Sequence, residues 1–229
     1  MEKSKKVIMS LRGVTKDSAL GQKQEHILED ISFDIYENEL LVIIGEEKSG
    51  KTSILNIIGG LDKASSGEII YDGRNLTDFS EKELENYRRD EVGFISQFFK
   101  LKPNRTALGN VQNTAEVCDS PYDPAYAIDQ VGMTEKSGAF PSTMSNSQRK
   151  KVSIAKALVK KTKIILADEP TYSLDFEACR EVLNLIEKFV EEKITTVVMT
   201  TRSEEVAKMA DRVIRIQGGR IVEIHENAR

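Results

Sequence analysis

Residues 45–52 have the composition of a phosphate-binding loop. They read GEEKSGKT and match the spacing Gly-x-x-x-x-Gly-Lys-Ser/Thr. Glycines let backbone N–H groups curl round phosphate oxygens, the lysine reaches the terminal phosphates, and the hydroxyl after it can ligate Mg²⁺. The candidate ligand-contacting residues here are Gly45, Glu47, Lys48, Ser49, Gly50, Lys51, Thr52 and Ser53.

An acidic pair, Asp168-Glu169, follows the apolar run IILA. The first carboxylate can hold the Mg²⁺, directly or through water, while the second can orient and activate an attacking water. The alternative is an ordinary acidic turn after a strand. The order and distance after the phosphate loop favour the metal-and-water assignment.

Both groups have the flanking elements that this chemistry needs. The apolar run LLVIIG, residues 40–45, is typical of a strand that is buried on both faces. ILNIIGGL after the loop has the periodicity of a helix, whose N-terminus would face a bound anion. A chance glycine-rich turn is the alternative, and the strand–loop–helix context argues against it.

The remaining patterns continue an alternation of strands and helices. Further strands are predicted at residues 6–12, 31–35, 68–73, 91–96, 163–168, 195–201, 212–217 and 220–224. Helices are predicted at residues 81–91, 145–160, 176–193 and 203–209. Residues 98–145 contain four prolines and little strand character, which predicts a small inserted helical subdomain. The alternation predicts an α/β fold with a mostly parallel core sheet.

The bulk composition excludes several classes of protein. The 229 residues are 39% hydrophobic and 31% charged, as in a soluble globular chain. The net charge of −4 provides no basic field, so we expect no nucleic-acid partner. No apolar run approaches the ~18 residues of a membrane span, and we expect no signal peptide. Cys118 and Cys179 sit in no metal or redox spacing, so we expect a cytoplasmic protein whose membrane segment, if any, belongs to another chain.

Several motifs together resemble the ATP-binding cassette (ABC) family. They are YRRDEVGFISQFFKLKPNRTALGNV, SQRKKVSIAKAL, DEPTYSLD, GEIIYDG and ADRVIRIQGGRIVE. The resemblance runs from Leu11 to Glu223 and is closest to the lipoprotein-release, macrolide-export and cell-division branch (LolD, MacB and FtsE types). It implies one ABC-type P-loop NTPase cassette over residues 1–229. Such a cassette has a RecA-like α/β core, an antiparallel β subdomain from the N-terminal third, and an inserted helical subdomain near residues 98–145.

The resemblance also implies partners and residue roles. Two cassettes, identical or different, would pack head to tail around two ATP molecules, on the cytoplasmic face of a membrane permease that is a separate chain. The residues implied to cap the partner's nucleotide are Ser145, Ser147, Gln148 and Asp175. Those implied to act in catalysis are Glu169, Gln97 and Arg202, and those implied to hold Mg²⁺ are Thr52, Gln97 and Asp168.

The chain departs from the family at four places in this site. Lys48 stands where glycine is usual and would cost roughly 1 kcal/mol or more if its φ is positive. The signature, usually Leu-Ser-Gly-Gly-Gln, reads MSNSQ at residues 144–148. Arg202 replaces the switch histidine. Ser18 replaces the aromatic that stacks on adenine, and with no aromatic in residues 1–32 we expect no nearby substitute.

Two functions follow from this combination of retained and altered residues. The first is an ATPase subunit that binds MgATP and drives a separate permease with slow hydrolysis. The second is a pseudo-ATPase, a regulatory or structural cassette without useful turnover. A soluble ABC protein of translation or repair is less well supported, because the chain has neither a second cassette nor a long coiled-coil insert.

Overall fold

A computed structural model describes residues 5–20 and 23–227, which form two β-sheets and seven α-helices. The strands are β1 (Val7–Leu20), β2 (Lys23–Tyr36), β3 (Leu40–Ile44), β4 (Ser66–Tyr71), β5 (Arg74–Asn75), β6 (Val92–Ile95), β7 (Ile164–Asp168), β8 (Thr196–Thr201), β9 (Arg212–Gln217) and β10 (Arg220–Glu226). The α-helices are α1 (Lys51–Ile58), α2 (Glu81–Asp90), α3 (Ala107–Ala115), α4 (Pro124–Gln130), α5 (Asn146–Leu158), α6 (Phe176–Glu191) and α7 (Glu204–Ala207).

The core sheet has the strand order β10-β9-β3-β8-β7-β6. All neighbouring pairs from β9 to β6 are parallel, and only the β9–β10 hairpin is antiparallel. β3 therefore lies inside the sheet, and the phosphate loop joins it to the N-terminus of α1. The predicted α/β fold and the predicted place of the loop are confirmed.

Successive residues of β3 enter two different hydrophobic cores. Leu40, Val42 and Ile44 pack with the buried residues of α5 and α6. Leu41 and Ile43 pack on the other face with α1 and the antiparallel sheet. All five residues are buried, which is the physical reason that the strand is a continuous apolar run.

The second sheet is antiparallel, with the order β2-β1-β4-β5. Our prediction of short first strands, at residues 6–12 and 31–35, was wrong, because β1 and β2 contain 14 residues each. Beyond Leu11 the pairing continues through several register shifts, and the side chains of residues 12–18 are mixed in polarity and mostly partly exposed. Backbone pairing in the hairpin, rather than apolar alternation, extends these strands.

Helices α3 and α4 lie within the proline-containing segment and pack against α5 in the first core. All four predicted helices end earlier than expected, α2 by one residue at Asp90, and α5, α6 and α7 by two residues at Leu158, Glu191 and Ala207. The N-termini of α5 and α6 are capped by Ser145 and Asp175, whose side chains accept backbone N–H groups of the first turn. Over residues 5–20 and 23–227, no helix has the length and apolar character needed to cross a bilayer.

Candidate functional site

The phosphate loop contains two residues with left-handed backbone conformations. Gly50, the N-cap of α1, has φ 103°, and a Cβ there would come 2.5 Å from the Leu28 side chain. Lys48 has φ 62°, so the strain expected for a lysine at this position is present. The loop therefore holds a left-handed conformation at a residue that, unlike glycine, has a Cβ.

Lys51 is buried within the loop. Its Nζ donates hydrogen bonds of 2.7 Å to the carbonyl oxygens of Gly45 and Glu46, and lies 4.0 Å from Glu169 Oε1. Burial lowers the pKa of Lys51, an effect that the nearby Glu169 carboxylate opposes. The ammonium is thus positioned in advance, at the N-terminus of α1, where an anion would bind.

Ser49 provides a direct test of whether the loop fits a phosphate. Its Oγ is buried and has no hydrogen-bond partner among the described residues. A buried hydroxyl without a partner is costly unless a ligand satisfies it. The phosphate loop therefore has an unused polar group where a phosphate oxygen would supply the partner.

Three oxygen-bearing side chains meet beside Lys51. Thr52 Oγ1 lies 3.1 Å from both carboxylate oxygens of Asp168, and Thr200 Oγ1 donates a 2.7 Å hydrogen bond to the same group. Thr200 also accepts the backbone N–H of Glu169 at 3.0 Å, which links the two acidic residues to β8. Hydroxyl and carboxylate oxygens suit Mg²⁺, which binds through one or two carboxylates together with substrate phosphates.

Within the part of the chain that the structure describes, no group of three or more His, Cys, Asp or Glu residues could hold a metal ion. A metal at Thr52 and Asp168 would therefore need additional oxygen ligands from a bound phosphate or from water.

Glu169 lies between two cations. Its Oε2 is 3.1 Å from Arg202 Nη2, and its Oε1 is 4.0 Å from Lys51 Nζ. The Arg202 guanidinium also lies 3.8 Å from Glu47 and 5.9 Å from the ring centre of Tyr172. Glu169, predicted to activate water, is therefore already paired with Arg202, which stands where the resemblance expects the switch histidine.

These groups open into one cleft of about 570 Å³. The predicted site residues that line it are Glu47, Lys48, Ser49, Gly50, Lys51, Thr52, Ser53, Gln97, Glu169 and Arg202. Gly45 and Asp168 are not in its lining, but they hydrogen-bond Lys51 and Thr52, which are. Ten predicted residues, drawn from four separate motifs, thus converge on one concave site.

The signature residues lie elsewhere, at the start of α5. Ser145 and Gln148 form a reciprocal capping box, and Ser147 Oγ donates a 3.0 Å hydrogen bond to Glu181. Asp175 caps α6 by accepting the N–H of Ala178 at 2.9 Å. None of these four predicted residues lines the cleft formed by the described residues.

Sequence reasoning missed several residues of the cleft and its support. They are Thr200, Tyr172, His26, Ile27, Gly218 and Gly219. Thr200 had a visible signal in the sequence, because the apolar run VVM of this strand is followed directly by two threonines, Thr200 and Thr201. A strand buried on both faces is usually apolar throughout. His26 had none, because its place at the cleft depends on the extension of β1 and β2 beyond the predicted strands.

A family model described as ABC transporter matches residues 28–172, so the chain belongs to that family. It is 39% identical over 220 residues to the macrolide export ATP-binding/permease protein MacB 1/2 of Paracoccus denitrificans, covering 94% of this chain and 33% of that protein. The chain therefore spans about a third of the length of this MacB relative. An uncharacterised ABC transporter ATP-binding protein of Mycobacterium tuberculosis is 31% identical over 207 residues, which cover 88% of this chain and 84% of that protein.

Solved structures agree with this family. The ATP-binding cassette MJ0796, in a dimeric post-hydrolysis state bound to ADP and Pi, has a TM-score of 0.88 and 31% identity, covering 96% of this chain and 99% of its own. The cbiO1 structure of Clostridium perfringens, with a TM-score of 0.86 at 23% identity, shares the fold. The chain is thus an ATP-binding cassette of the ABC type, a family of ATPases.

Proposed function

We propose that this chain binds MgATP and couples its binding and slow hydrolysis to a separate membrane permease, as the ATP-binding subunit of an ABC transporter or mechanotransmission complex. The observation that carries the proposal is the convergence of Lys51, Thr52, Asp168 and Glu169 at one cleft, next to the unsatisfied hydroxyl of Ser49. Retention of these groups would have little physical purpose in a chain that binds no nucleotide.

In this proposal each retained group has one task. The phosphate loop and Lys51 bind the β- and γ-phosphates, and Thr52, Asp168 and Gln97 hold Mg²⁺. The metal, when bound, neutralises charge that develops on the phosphate oxygens. Glu169 accepts a hydrogen bond from the attacking water and orients it towards the γ-phosphorus.

Slow turnover follows from contacts that the chain lacks, because Arg202 stands where the resemblance expects the switch histidine, and Asn146 and Ser147 stand where it expects the signature glycines. Losing one preorganised contact to developing charge typically costs about 10² to 10³ in rate. Arg202 recovers part of this loss, since a guanidinium near the γ-phosphate stabilises transition-state charge.

A second cassette completes the site in this proposal. The signature and Asp175 of one chain lie outside its own cleft, and a partner's equivalent residues would cap the nucleotide. MJ0796, with which this chain shares the fold over 96% of its length, forms a dimer. Ser145, Ser147, Gln148 and Asp175 would thus contact the nucleotide bound by the partner cassette, whether that cassette is a copy of this chain or another one.

The pseudo-ATPase alternative is favoured by one observation, the ion pair between Arg202 and Glu169. The two functions are separated by measuring ATP hydrolysis of the native complex, with its permease, beside the isolated chain. A rate that the permease stimulates and that Glu169→Gln abolishes supports the ATPase. Absence of hydrolysis in both samples supports the pseudo-ATPase, and absence of ATP binding contradicts the proposed ATPase.

A further inference from the structure

His26 lines the same cleft as the phosphate loop. It lies on β2, and 66% of its side chain is exposed, so a face of the ring is open to a ligand. Its Nδ1 lies 2.6 Å from Asp17 Oδ1 on the neighbouring strand. Since an ionised carboxylate can only accept, Nδ1 carries the proton of this hydrogen bond and the contact fixes the orientation of the imidazole.

His26 and Ser18 belong to opposite faces of the hairpin. Across β1 and β2, Asp17 pairs with His26 and Ser18 pairs with Glu25. Because successive side chains of a strand point to opposite faces, Asp17 and His26 share one face and Ser18 belongs to the other. The imidazole that lines the cleft is therefore not at Ser18, where the resemblance puts the adenine-stacking aromatic.

The backbone around His26 is held in place by the β9–β10 turn. The N–H of Glu29 donates a 2.8 Å hydrogen bond to the carbonyl oxygen of Gly219. A Cβ on Gly219, which has φ 76°, would come 2.6 Å from the carbonyl oxygen of Ile27, so only glycine allows this approach. Gly218 and Gly219 line the same cleft, and the imidazole thus projects from a wall built by two hairpins.

We propose that His26 is a base-binding residue, whose imidazole, oriented by Asp17, stacks on the nucleobase of the bound nucleotide. Imidazole is one of the side-chain rings on which bases stack. This inference rests on the proposed nucleotide binding and assigns the part of the cleft that contacts the base.

The test compares two ligands that share their phosphates. ATP and inorganic tripolyphosphate, each with Mg²⁺, are titrated into the folded chain by calorimetry. His26→Ala should weaken ATP binding roughly tenfold and leave tripolyphosphate binding unchanged, as expected for loss of one stacking ring. His26→Tyr should retain ATP affinity.

His225→Ala is the matched control, because it removes the only other histidine, which does not line the cleft formed by the described residues. Equal loss of ATP and tripolyphosphate affinity in His26→Ala, or no loss of either, would overturn the inference. Equal affinity of the unaltered chain for the two ligands would also overturn it. If the unaltered chain binds neither ligand, the proposed nucleotide binding itself fails, which is a distinguishable result.

Discussion

At the scale of single residues, the Glu169 carboxylate, to which water activation is assigned, lies between two cations. Arg202 and Lys51 lie 3.1 and 4.0 Å from the two oxygens of Glu169. The guanidinium orients one carboxylate oxygen, while the other faces the ammonium that also binds phosphate. The departure at Arg202 therefore acts directly on the residue assigned to water activation.

The first prediction concerns Lys51. Its charge-assisted contacts to phosphate are worth roughly 1.5 to 3 kcal/mol, so Lys51→Ala should weaken ATP binding about tenfold or more. Calorimetric titration of ATP measures the change. Lys82→Ala, at an exposed lysine on α2, is the control and should bind ATP as the unaltered chain does. Equal affinities in Lys51→Ala and the control would contradict the assignment.

The second prediction concerns the strained backbone at Lys48, where φ is 62°. Replacing lysine with glycine removes the Cβ clash of the left-handed conformation, worth about 1 kcal/mol, and should raise Tm by about 2 to 4 °C. Lys48→Ala removes the charge but keeps the Cβ, so thermal unfolding of this variant should show no such gain. A similar rise in both variants would locate the effect in the charge instead of the backbone.

At the scale of elements, a buried lysine links the signature helix to the segment that carries Gln97. Lys150 on α5 is fully buried, and its Nζ donates hydrogen bonds of 2.9 and 3.1 Å to the carbonyl oxygens of Ser96 and Gln97. Burial lowers the pKa of Lys150 to about 8, although the Asp168 carboxylate favours the charged form. The neutral carbonyl acceptors only partly offset the cost of burying the cation.

This pKa shift has a defined consequence for stability. Because the folded-state pKa lies below the ordinary value of 10.5, the folded protein releases the proton first, and its free energy of unfolding rises between about pH 8 and pH 10.5. Lys150→Met should lose this rise, which amounts to about 3 kcal/mol at roughly 1.4 kcal/mol per pH unit. Urea denaturation at pH 7.5 and pH 10 measures it. The exposed control Lys136→Met should keep the rise of the unaltered chain, and its persistence in Lys150→Met would contradict the assignment.

The elements also show how far the sequence could be interpreted. The strand–loop–helix at Gly45–Thr52 and the acidic end of β7 were predictable, because buried parallel strands are apolar runs and phosphate contacts require particular residue types. The long hairpin was not, because its outer half is held by backbone pairing between polar residues. Two further features could not be predicted, because they depend on how distant segments pack together in the fold. They are the position of His26 at the cleft and the ion pair between Arg202 and Glu169.

At the scale of the whole molecule, the altered residues would be shared between two composite sites. In a dimer of this chain, each site would combine Arg202 of one protomer with the altered signature of the other, so both sites depart from the family. If the partner is an ordinary cassette, one site would combine this chain's Arg202 with the partner's usual signature. The other site would combine the partner's usual histidine with this chain's altered signature. Neither arrangement yields a fully standard site, so hydrolysis should be slow in both.

The central claim is that this chain is an ABC cassette that binds ATP and hydrolyses it slowly because of its altered residues. The steady-state ATPase rate of the purified complex, measured for the unaltered chain and three variants, tests it most directly. The account predicts a rate well below the ~1 to 10³ s⁻¹ usual for enzymes. It also predicts a lower rate in Arg202→Ala, and higher rates in Arg202→His and in the double variant with glycine at Asn146 and Ser147. A rate within the usual range that none of these changes affects would contradict it.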